Sequence, residues 1–207
     1  MLIRLFVLLC LLTVPFAATA DAPSSPALVE KLRDGGHTIY FRHAATDWSQ
    51  PDQVGAPGDW QSCDGTRMRQ LSDAGRATAR RVGEAMKALA VPVGEVLSSE
   101  YCRAVETAEL LSVGPVTTTL DIMNLRAAEY VGGRDAAIRN YRAIIAKPPP
   151  AGGNRVIAAH GNLSRAATGA YPGEGGAVII IDDPAAEHGF RVLGQLDPDD
   201  WARLAGQ

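Results

Sequence analysis

The sequence predicts a three-layer α/β/α sandwich built around a mostly parallel sheet. Short apolar runs rich in β-branched and aromatic residues alternate along the chain with stretches of helical apolar spacing. Two of the runs, Thr38–Phe41 and Val156–Ala159, lead directly or within one residue into a histidine. Buried parallel strands have this appearance, and their carboxyl ends form the usual ligand crevice of α/β folds. The alternation therefore predicts the layers, and the histidines indicate where a site would lie.

The first 20 residues have the features of a secretory signal peptide. Arg4 precedes the apolar stretch Leu5–Leu12, and residues 18–20 (Ala-Thr-Ala) have the small side chains of a cleavage site. We expect a mature chain that begins near Asp21, forms one domain over residues 21–207, and is periplasmic or secreted. An uncleaved N-terminal anchor is the alternative, although the stretch is short for a membrane span.

The charge balance argues against several classes of partner. The 207-residue chain has 20 basic and 23 acidic side chains and a net charge of −3 at pH 7. Removal of the leader takes away one basic residue, Arg4, and makes the mature protein slightly more acidic. Such a balance does not favour binding to nucleic acid or to an anionic membrane surface.

The first elements are defined by their end signals. Ser25 and Pro26 predict a helix start, and Gly35 with Gly36 predicts its end before the first strand. The stretch 44–69 has no clear period and is rich in Gly, Pro and Asp, so we expect a long loop that is functional or disordered.

The later elements alternate between helix and strand. Ser72 is predicted to cap a helix that runs to about Ala90. The elements predicted after it are strand Val93–Ser99, helix Tyr101–Leu111, strand Val116–Ile122, helix Asp135–Ala146, a strand ending before His160, helix Leu163–Ala170, strands Ala177–Ile181 and Phe190–Leu196, and a final helical turn Asp199–Leu204.

Charged and ionisable side chains at the predicted strand ends favour phosphate chemistry. Arg42 stands beside His43, and Arg103 follows the strand that ends at Ser99. Arginine matches the geometry of phosphoryl oxygens, and a protonated His160 would add further positive charge. A second imidazole that stays neutral is a competent nucleophile toward phosphorus. This arrangement requires no metal and no other cofactor.

Four sequence blocks make the resemblance to a known family specific. The blocks are Tyr40–Thr46, Leu71–Gly75, Ser98–Ala108 and Ala158–Asn162. In this order they resemble the signature segments of the histidine phosphatase superfamily, branch 1, also called phosphoglycerate mutase-like. The His-Gly-Asn form of the last block is similar to the mutase-like branch rather than to the acid phosphatases and phytases. The resemblance implies a mixed, mostly parallel sheet.

The resemblance also implies roles for individual residues. His43 would be the nucleophile that becomes phosphohistidine. Arg42, Arg103 and His160 would bind and stabilise the phosphoryl group. The implied substrate-binding residues are the hydroxyl residues Thr46 and Ser49 and the residues Gly161 and Asn162, which would offer backbone donors.

Two positions depart from the family pattern. Ala44 stands where the family usually has glycine, which requires a negative φ at that residue. Leu125 stands where a glutamate often acts as general acid, with Glu129 four residues later and Asp121 four residues earlier. We take Glu129 as the candidate acid, with a plain surface carboxylate as the equal alternative. Without an acid, the enzyme would favour good leaving groups, or a protonated His160 or water would assist.

Cysteine and tryptophan residues bear on the long loop. A bridge between Cys63 and Cys102 would close a loop of about 38 residues, contribute on the order of 3–4 kcal/mol, and pin the loop beside Arg103. Trp48 and Trp60 would line either a substrate cleft or a small satellite core under the loop.

These observations predict an exported phosphatase that hydrolyses a phosphomonoester through a covalent phosphohistidine. Its substrate would be a phosphorylated small molecule or a phosphoprotein. The alternative is a catalytically silent member of the same fold that binds a phosphate-bearing ligand or protein. A phosphomutase is less favoured, because export would separate it from the intermediates of central metabolism.

Overall fold

A computed structural model describes residues 25–206 of the chain. The predicted signal peptide, with Arg4 and the cleavage site, lies outside the described residues. The six strands are β1 (Thr38–Arg42), β2 (Val93–Ser99), β3 (Val116–Thr119), β4 (Asn154–Ala159), β5 (Ala177–Asp182) and β6 (Phe190–Leu196). The α-helices are α1 (Ser25–Arg33), α2 (Asp73–Ala88), α3 (Cys102–Leu111), α4 (Arg134–Ile145), α5 (Gly161–Thr168) and α6 (Pro198–Leu204).

The strands form one mixed sheet in the order β3-β2-β4-β1-β5-β6. The first four strands of this order are parallel, while β5 and β6 are antiparallel to their neighbours. Side chains alternate across β1, so Ile39 and Phe41 pack on one face of the sheet and Tyr40 on the other. The predicted α/β fold with a mostly parallel mixed sheet is confirmed.

Helices cover both faces of the sheet. On one face, α1, α2, α3 and α6 contribute buried side chains to a core that includes Leu32, Met86 and Trp201. On the other face, α4 and α5 pack over Tyr40 and Ile157 through Tyr141 and Leu163. Within residues 25–206, no helix is both long enough and apolar enough to cross a membrane.

Several predicted boundaries differ from the structure. The predicted strand Val116–Ile122 ends at Thr119, because the Thr119 hydroxyl accepts from the Asp121 amide and the chain turns into a short 3₁₀ helix, Leu120–Ile122. A further 3₁₀ helix covers Leu125–Val131, where no element was predicted. Helix α5 starts at Gly161, two residues before its predicted start.

The long loop is packed against the domain. It contains a 3₁₀ turn, Asp59–Gln61, and forms isolated bridges that pair Thr46 with Leu71 and Asp52 with Met68. Trp60 is buried in a satellite cluster with side chains that include Met68, Tyr101 and Met123. The satellite-core alternative therefore holds for Trp60, whereas Trp48 is 66% exposed.

Candidate active site

The two histidines meet because β1 and β4 are adjacent parallel strands in matched register. Arg42 pairs with Ala159 at the end of both strands, and the backbone N–H of His43 donates to the Ala159 carbonyl at 2.9 Å. His160 follows Ala159 directly. The two imidazole centroids lie 5.5 Å apart, with the rings in an edge-to-face arrangement. The predicted convergence of the strand ends is therefore present in the structure.

A cavity of about 150 Å³ opens at this edge of the sheet. It is lined by arginines, both of these histidines, two side-chain amides, two aromatic rings and two carboxylates. Its lining residues are Arg42, His43, Trp48, Asp52, Arg69, Arg103, Asn124, Arg126, His160, Gly161, Asn162, Tyr171 and Glu174.

The imidazole of His43 is held in one neutral form. Its Nδ1 lies 2.9 Å from the carbonyl oxygen of Ala44, and since a carbonyl can only accept, Nδ1 bears the proton. Burial, followed by the charge of Arg103, lowers the pKa of His43 to about 3. Nε2 therefore carries a free lone pair at neutral pH, within the wall of the cavity.

His160 is fixed by its neighbours in a different way. Its Nε2 lies 2.9 Å from the Ser99 hydroxyl, and its Nδ1 lies 3.2 Å from Nδ2 of Asn124. Asn124 Oδ1 accepts from the Asn162 side chain and the Arg126 amide, so its Nδ2 is the atom that donates to His160. Burial lowers the pKa of His160 well below its usual value. The ring is therefore neutral, and the additional positive charge that a protonated His160 would bring is absent here.

The two predicted arginines differ in burial. The Arg103 side chain is 1% exposed and lies with its guanidinium carbon 4.5 Å from the Tyr101 ring centroid. Arg42 is partly exposed, bonds Glu174 at 3.2 Å, and lies 5.3 Å from the Tyr171 ring centroid. Both arginines line the same cavity as His43.

One carboxylate joins three of the cavity's guanidinium groups. Asp52, with a side chain 7% exposed, accepts from Arg69 at 2.5 Å, from Arg103 at 2.7 Å and from Arg126 at 3.1 Å. Burial alone would raise the pKa of Asp52, but Arg103 and Arg69 outweigh it, and the net pKa lies below its usual value. Asp52 is therefore ionised at neutral pH and neutralises part of this cluster.

Only two of the four predicted substrate-binding residues line the cavity. Gly161 and Asn162 line the cavity, at the first turn of α5. Thr46 is buried outside the lining, and its hydroxyl has no hydrogen-bond partner within residues 25–206. Ser49 is exposed, and its hydroxyl and backbone N–H both donate to Asp47.

The predicted acid Glu129 does not reach the cavity. It lies exposed on the 3₁₀ helix Leu125–Val131, away from the lining residues. Asp121 is also exposed and accepts from the Asn140 amide at 2.9 Å. The tight 3₁₀ turn explains this placement, because it brings Asn124 to the cavity and carries Glu129 more than one turn beyond it.

The alanine that replaces the family's glycine is accommodated. Positive φ outside glycine occurs, within the described residues, at Ala90 and Ser112, so Ala44 has the negative φ that it requires. Its side chain is buried, and its N–H donates to the Thr107 hydroxyl at 3.0 Å. The substitution therefore leaves the backbone that carries His43 unstrained.

Cys63 and Cys102 form a disulfide, with Cα atoms 5.4 Å apart. The bridge attaches the long loop to the first residue of α3. Arg103 is the next residue of that helix, so the covalent link lies directly beside one of the cavity's cations.

Sequence reasoning missed several lining residues. Asp52 and Arg69 lie 17 residues apart in a loop without periodicity, so no pattern pointed to either one. Trp48, whose ring centroid lies 3.9 Å from the Arg69 guanidinium carbon, lines the cavity, so the cleft alternative holds for this tryptophan. The other missed residues are Asn124, Arg126, Tyr171 and Glu174.

Known structures share this architecture. The protein histidine phosphatase SixA complexed with tungstate is 15% identical, with a TM-score of 0.52, and the match covers 79% of this chain and 98% of that one. Open reading frame Rv3214 from Mycobacterium tuberculosis is 15% identical, with a TM-score of 0.54, and the match covers 76% of this chain and 95% of that one. Mycobacterial hydrolase 1 is 16% identical, with a TM-score of 0.52, and the match covers 79% and 99% of the two chains. At such identities the likeness establishes the fold alone.

The sequence itself carries the family assignment. No curated protein matches the chain. The sequence profile of the histidine phosphatase superfamily (branch 1) matches residues 39–166, a span that contains both cavity histidines and the arginines beside them. Since this span is more than half of the chain, the protein belongs to branch 1 of the histidine phosphatase superfamily.

Proposed function

We propose that this protein hydrolyses phosphomonoesters through a covalent phosphohistidine at His43. The observation that carries the proposal is the hydrogen bond from His43 Nδ1–H to the Ala44 carbonyl, which leaves the Nε2 lone pair free. The low pKa of His43, about 3, keeps that lone pair available at neutral pH. A neutral nitrogen nucleophile surrounded by guanidinium groups suits attack on an anionic phosphoryl group.

The reaction would proceed in two displacements at phosphorus. In the first, Nε2 of His43 bonds to phosphorus and the ester oxygen leaves. In the second, water attacks phosphorus and the electron pair of the P–N bond returns to Nε2. Arg42 and Arg103 would hold the charge that spreads over the phosphoryl oxygens in both steps. The Ala44 carbonyl would stabilise the phosphorylated ring by accepting from Nδ1–H throughout.

Backbone N–H groups and hydroxyl groups would add further hydrogen bonds to the phosphoryl group. The backbone N–H groups of Gly161 and Asn162, at the start of α5, would point donors toward a phosphoryl oxygen. Thr46 lies outside the cavity lining, and its hydroxyl, which has no hydrogen-bond partner within residues 25–206, would have to move to reach such an oxygen. Ser49 would have to leave its hydrogen bond to Asp47 before it could contribute.

Turnover of p-nitrophenyl phosphate tests the proposal. We expect wild-type protein to hydrolyse this ester and His43→Ala to lose activity by at least about 10³-fold, since the nucleophile is removed. His188→Ala, at an exposed histidine outside the cavity lining, is the matched control and should retain full activity. Rapid quenching in base should trap a phosphorylated peptide that contains His43. Equal, negligible turnover by wild type and His43→Ala would refute the proposal.

A binding-only role is the second candidate, and the position of Glu129 favours it. With that carboxylate outside the cavity lining, the proton donor expected from the family pattern is missing. A silent member would bind inorganic phosphate or a phosphorylated protein without turnover. Calorimetric binding of phosphate to a wild-type protein that hydrolyses no aryl phosphate would establish this alternative.

We also propose that the protein is exported after removal of residues 1–20. The disulfide between Cys63 and Cys102 supports this location, because such bridges persist in oxidising compartments. Export would confine the substrate to phosphoesters or phosphoproteins outside the cytoplasm. Cell fractionation with N-terminal sequencing should find a chain that starts near Asp21; a full-length cytoplasmic chain would contradict export.

A further inference from the structure

The position of Asp52 is unusual for a carboxylate in a phosphate site. It is 7% exposed, lines the same cavity as His43, and shares the Arg103 guanidinium that would hold the phosphoryl group. Its two oxygens accept hydrogen bonds from three arginines. Oδ1 accepts from Arg103 at 2.7 Å, and Oδ2 accepts from Arg69 at 2.5 Å. A carboxylate that shares a guanidinium with the phosphoryl oxygens lies next to those oxygens.

The balance of effects on Asp52 changes when a phosphate ester binds. Burial is the largest influence and favours the neutral acid, while Arg103 and Arg69 favour the carboxylate and prevail. A phosphoryl dianion on the same guanidinium groups would offset their charge and add a negative charge beside Asp52. Both changes favour protonation. The ester itself can bring the proton, since the second pKa of a phosphate monoester is about 6.

We propose that Asp52 is the general acid and base of this enzyme. Glu129 and Asp121 lie outside the cavity lining, so neither can exchange a proton with the reacting oxygens from its position. The inference rests on the proposed phosphatase function. Asp52 would act on the ester oxygen in the first displacement and on the attacking water in the second.

The proton transfers balance over the two steps. When Nε2 of His43 bonds to phosphorus, the P–O ester bond breaks, and the leaving oxygen takes the Asp52 proton with the bonding electron pair. The products of this step are an alcohol, the phosphohistidine and the Asp52 carboxylate. Water then attacks phosphorus and gives a proton to Asp52, while the P–N electron pair returns to Nε2. The sum is ester plus water giving alcohol plus phosphate.

A second carboxylate, Glu174, lines the same cavity and provides the comparison. It bonds Arg42 at 3.2 Å and its side chain is 23% exposed, three times the exposed fraction of Asp52. Asp52 is the more buried of the two carboxylates and shares Arg103 with the proposed phosphoryl site, so the structure favours it as the acid and leaves Glu174 as the control.

The test compares leaving groups within each variant. Wild type, Asp52→Asn and Glu174→Gln are assayed for kcat/KM with p-nitrophenyl phosphate, a good leaving group, and with glycerol 2-phosphate, a poor one. The quantity kcat/KM covers the steps through cleavage of the P–O bond and excludes hydrolysis of phosphohistidine. The ratio of the two kcat/KM values does not depend on the folded fraction, so partial misfolding of Asp52→Asn leaves the test valid.

We expect Asp52→Asn to raise the aryl-to-alkyl ratio by roughly 100-fold, since general acid catalysis contributes about 10²–10⁴-fold and a good leaving group needs little of it. Glu174→Gln should change both kcat/KM values by the same factor. A ratio in Asp52→Asn within about threefold of wild type overturns the assignment and leaves Asp52 as a positioning residue for Arg103. Wild-type turnover that requires His43 would then still support the phosphatase function, whereas no turnover of either ester contradicts both proposals.

Discussion

The Tyr40 hydroxyl makes two hydrogen bonds to the backbone of His160. It donates to the His160 carbonyl at 2.8 Å and accepts from the His160 N–H at 3.0 Å. Tyr40 is buried in the middle of β1, and His160 follows the end of β4. A core side chain of one strand thus positions the backbone of a cavity histidine on the next.

Tyr40→Phe should destabilise the protein by about 1–3 kcal/mol. The change leaves the buried His160 N–H without its acceptor, while the His160 carbonyl still accepts from the N–H groups of Leu163 and Ser164. Tyr141→Phe is the matched control, because the Tyr141 hydroxyl is buried without a hydrogen-bond partner in the described part of the chain. We expect that variant to be as stable as wild type or more so. Urea unfolding measures both, and equal losses would contradict the role assigned to Tyr40.

Stability should fall as the pH drops from 7 to 5. The unfolded chain protonates His43 near the ordinary pKa of 6.5, whereas the folded protein keeps it neutral down to about 3. Because the unfolded state then binds more protons, His43 alone lowers the free energy of unfolding by about 2 kcal/mol at pH 5. His43→Gln removes this contribution and should flatten the pH dependence. An equally steep dependence in that variant would show that His43 is not held neutral.

Gly161→Ala should reduce activity more than stability. An added Cβ would lie 2.8 Å from Cε2 of Tyr171 and 3.1 Å from Cδ of Arg42. Tyr171 is half-exposed and can move outward, so we expect less than about 1 kcal/mol of destabilisation. The displaced Arg42 should lower kcat/KM for p-nitrophenyl phosphate about 10-fold, because phosphate contacts depend on position. Gly173→Ala is the control, since its Cβ would meet its nearest neighbour at 3.8 Å; equal effects of the two substitutions would contradict the steric argument.

Reduction of the Cys63–Cys102 bridge should cost about 3–4 kcal/mol of stability and weaken phosphate binding. Urea unfolding with and without a thiol reductant measures the first effect, and calorimetric titration with inorganic phosphate measures the second. The Cys63→Ser, Cys102→Ser double variant is the control, because its two curves should coincide. Unchanged phosphate affinity after reduction would mean that the loop holds its place without the bridge.

The central part of the fold could be predicted because its signals are local. The runs before His43 and His160 are short, apolar and cut off by polar residues, and two such strands in parallel register bring their ends together. The cap at Ser72 was likewise predictable, and its hydroxyl accepts from the Gly75 amide at 3.0 Å. The family resemblance then supplied the roles expected of the histidines and of Arg42.

The proposed role of Asp52 as the general acid could not be predicted from the sequence, for two physical reasons. Glu129 is predicted as the acid only from its sequence distance to Leu125. The 3₁₀ helix that follows Asn124 places Asn124 at the cavity and Glu129 on the exposed surface. Asp52 acquires its importance from partners far along the chain, including Arg126, 74 residues away. Loop residues without periodicity give no sign of such long-range pairing. Three-dimensional contacts alone distinguish Asp52 from the other acidic residues of the loop.

The disulfide makes the expression host an experimental variable. Cys63 is exposed and open to exchange with thiols, and Cys102 is joined by one peptide bond to Arg103. Protein made in a reducing cytosol and protein secreted into an oxidising medium would therefore be two different covalent forms of one sequence. Specific activity would then report the oxidation state of a preparation, and a weakly active batch should be reoxidised before its substrate range is surveyed.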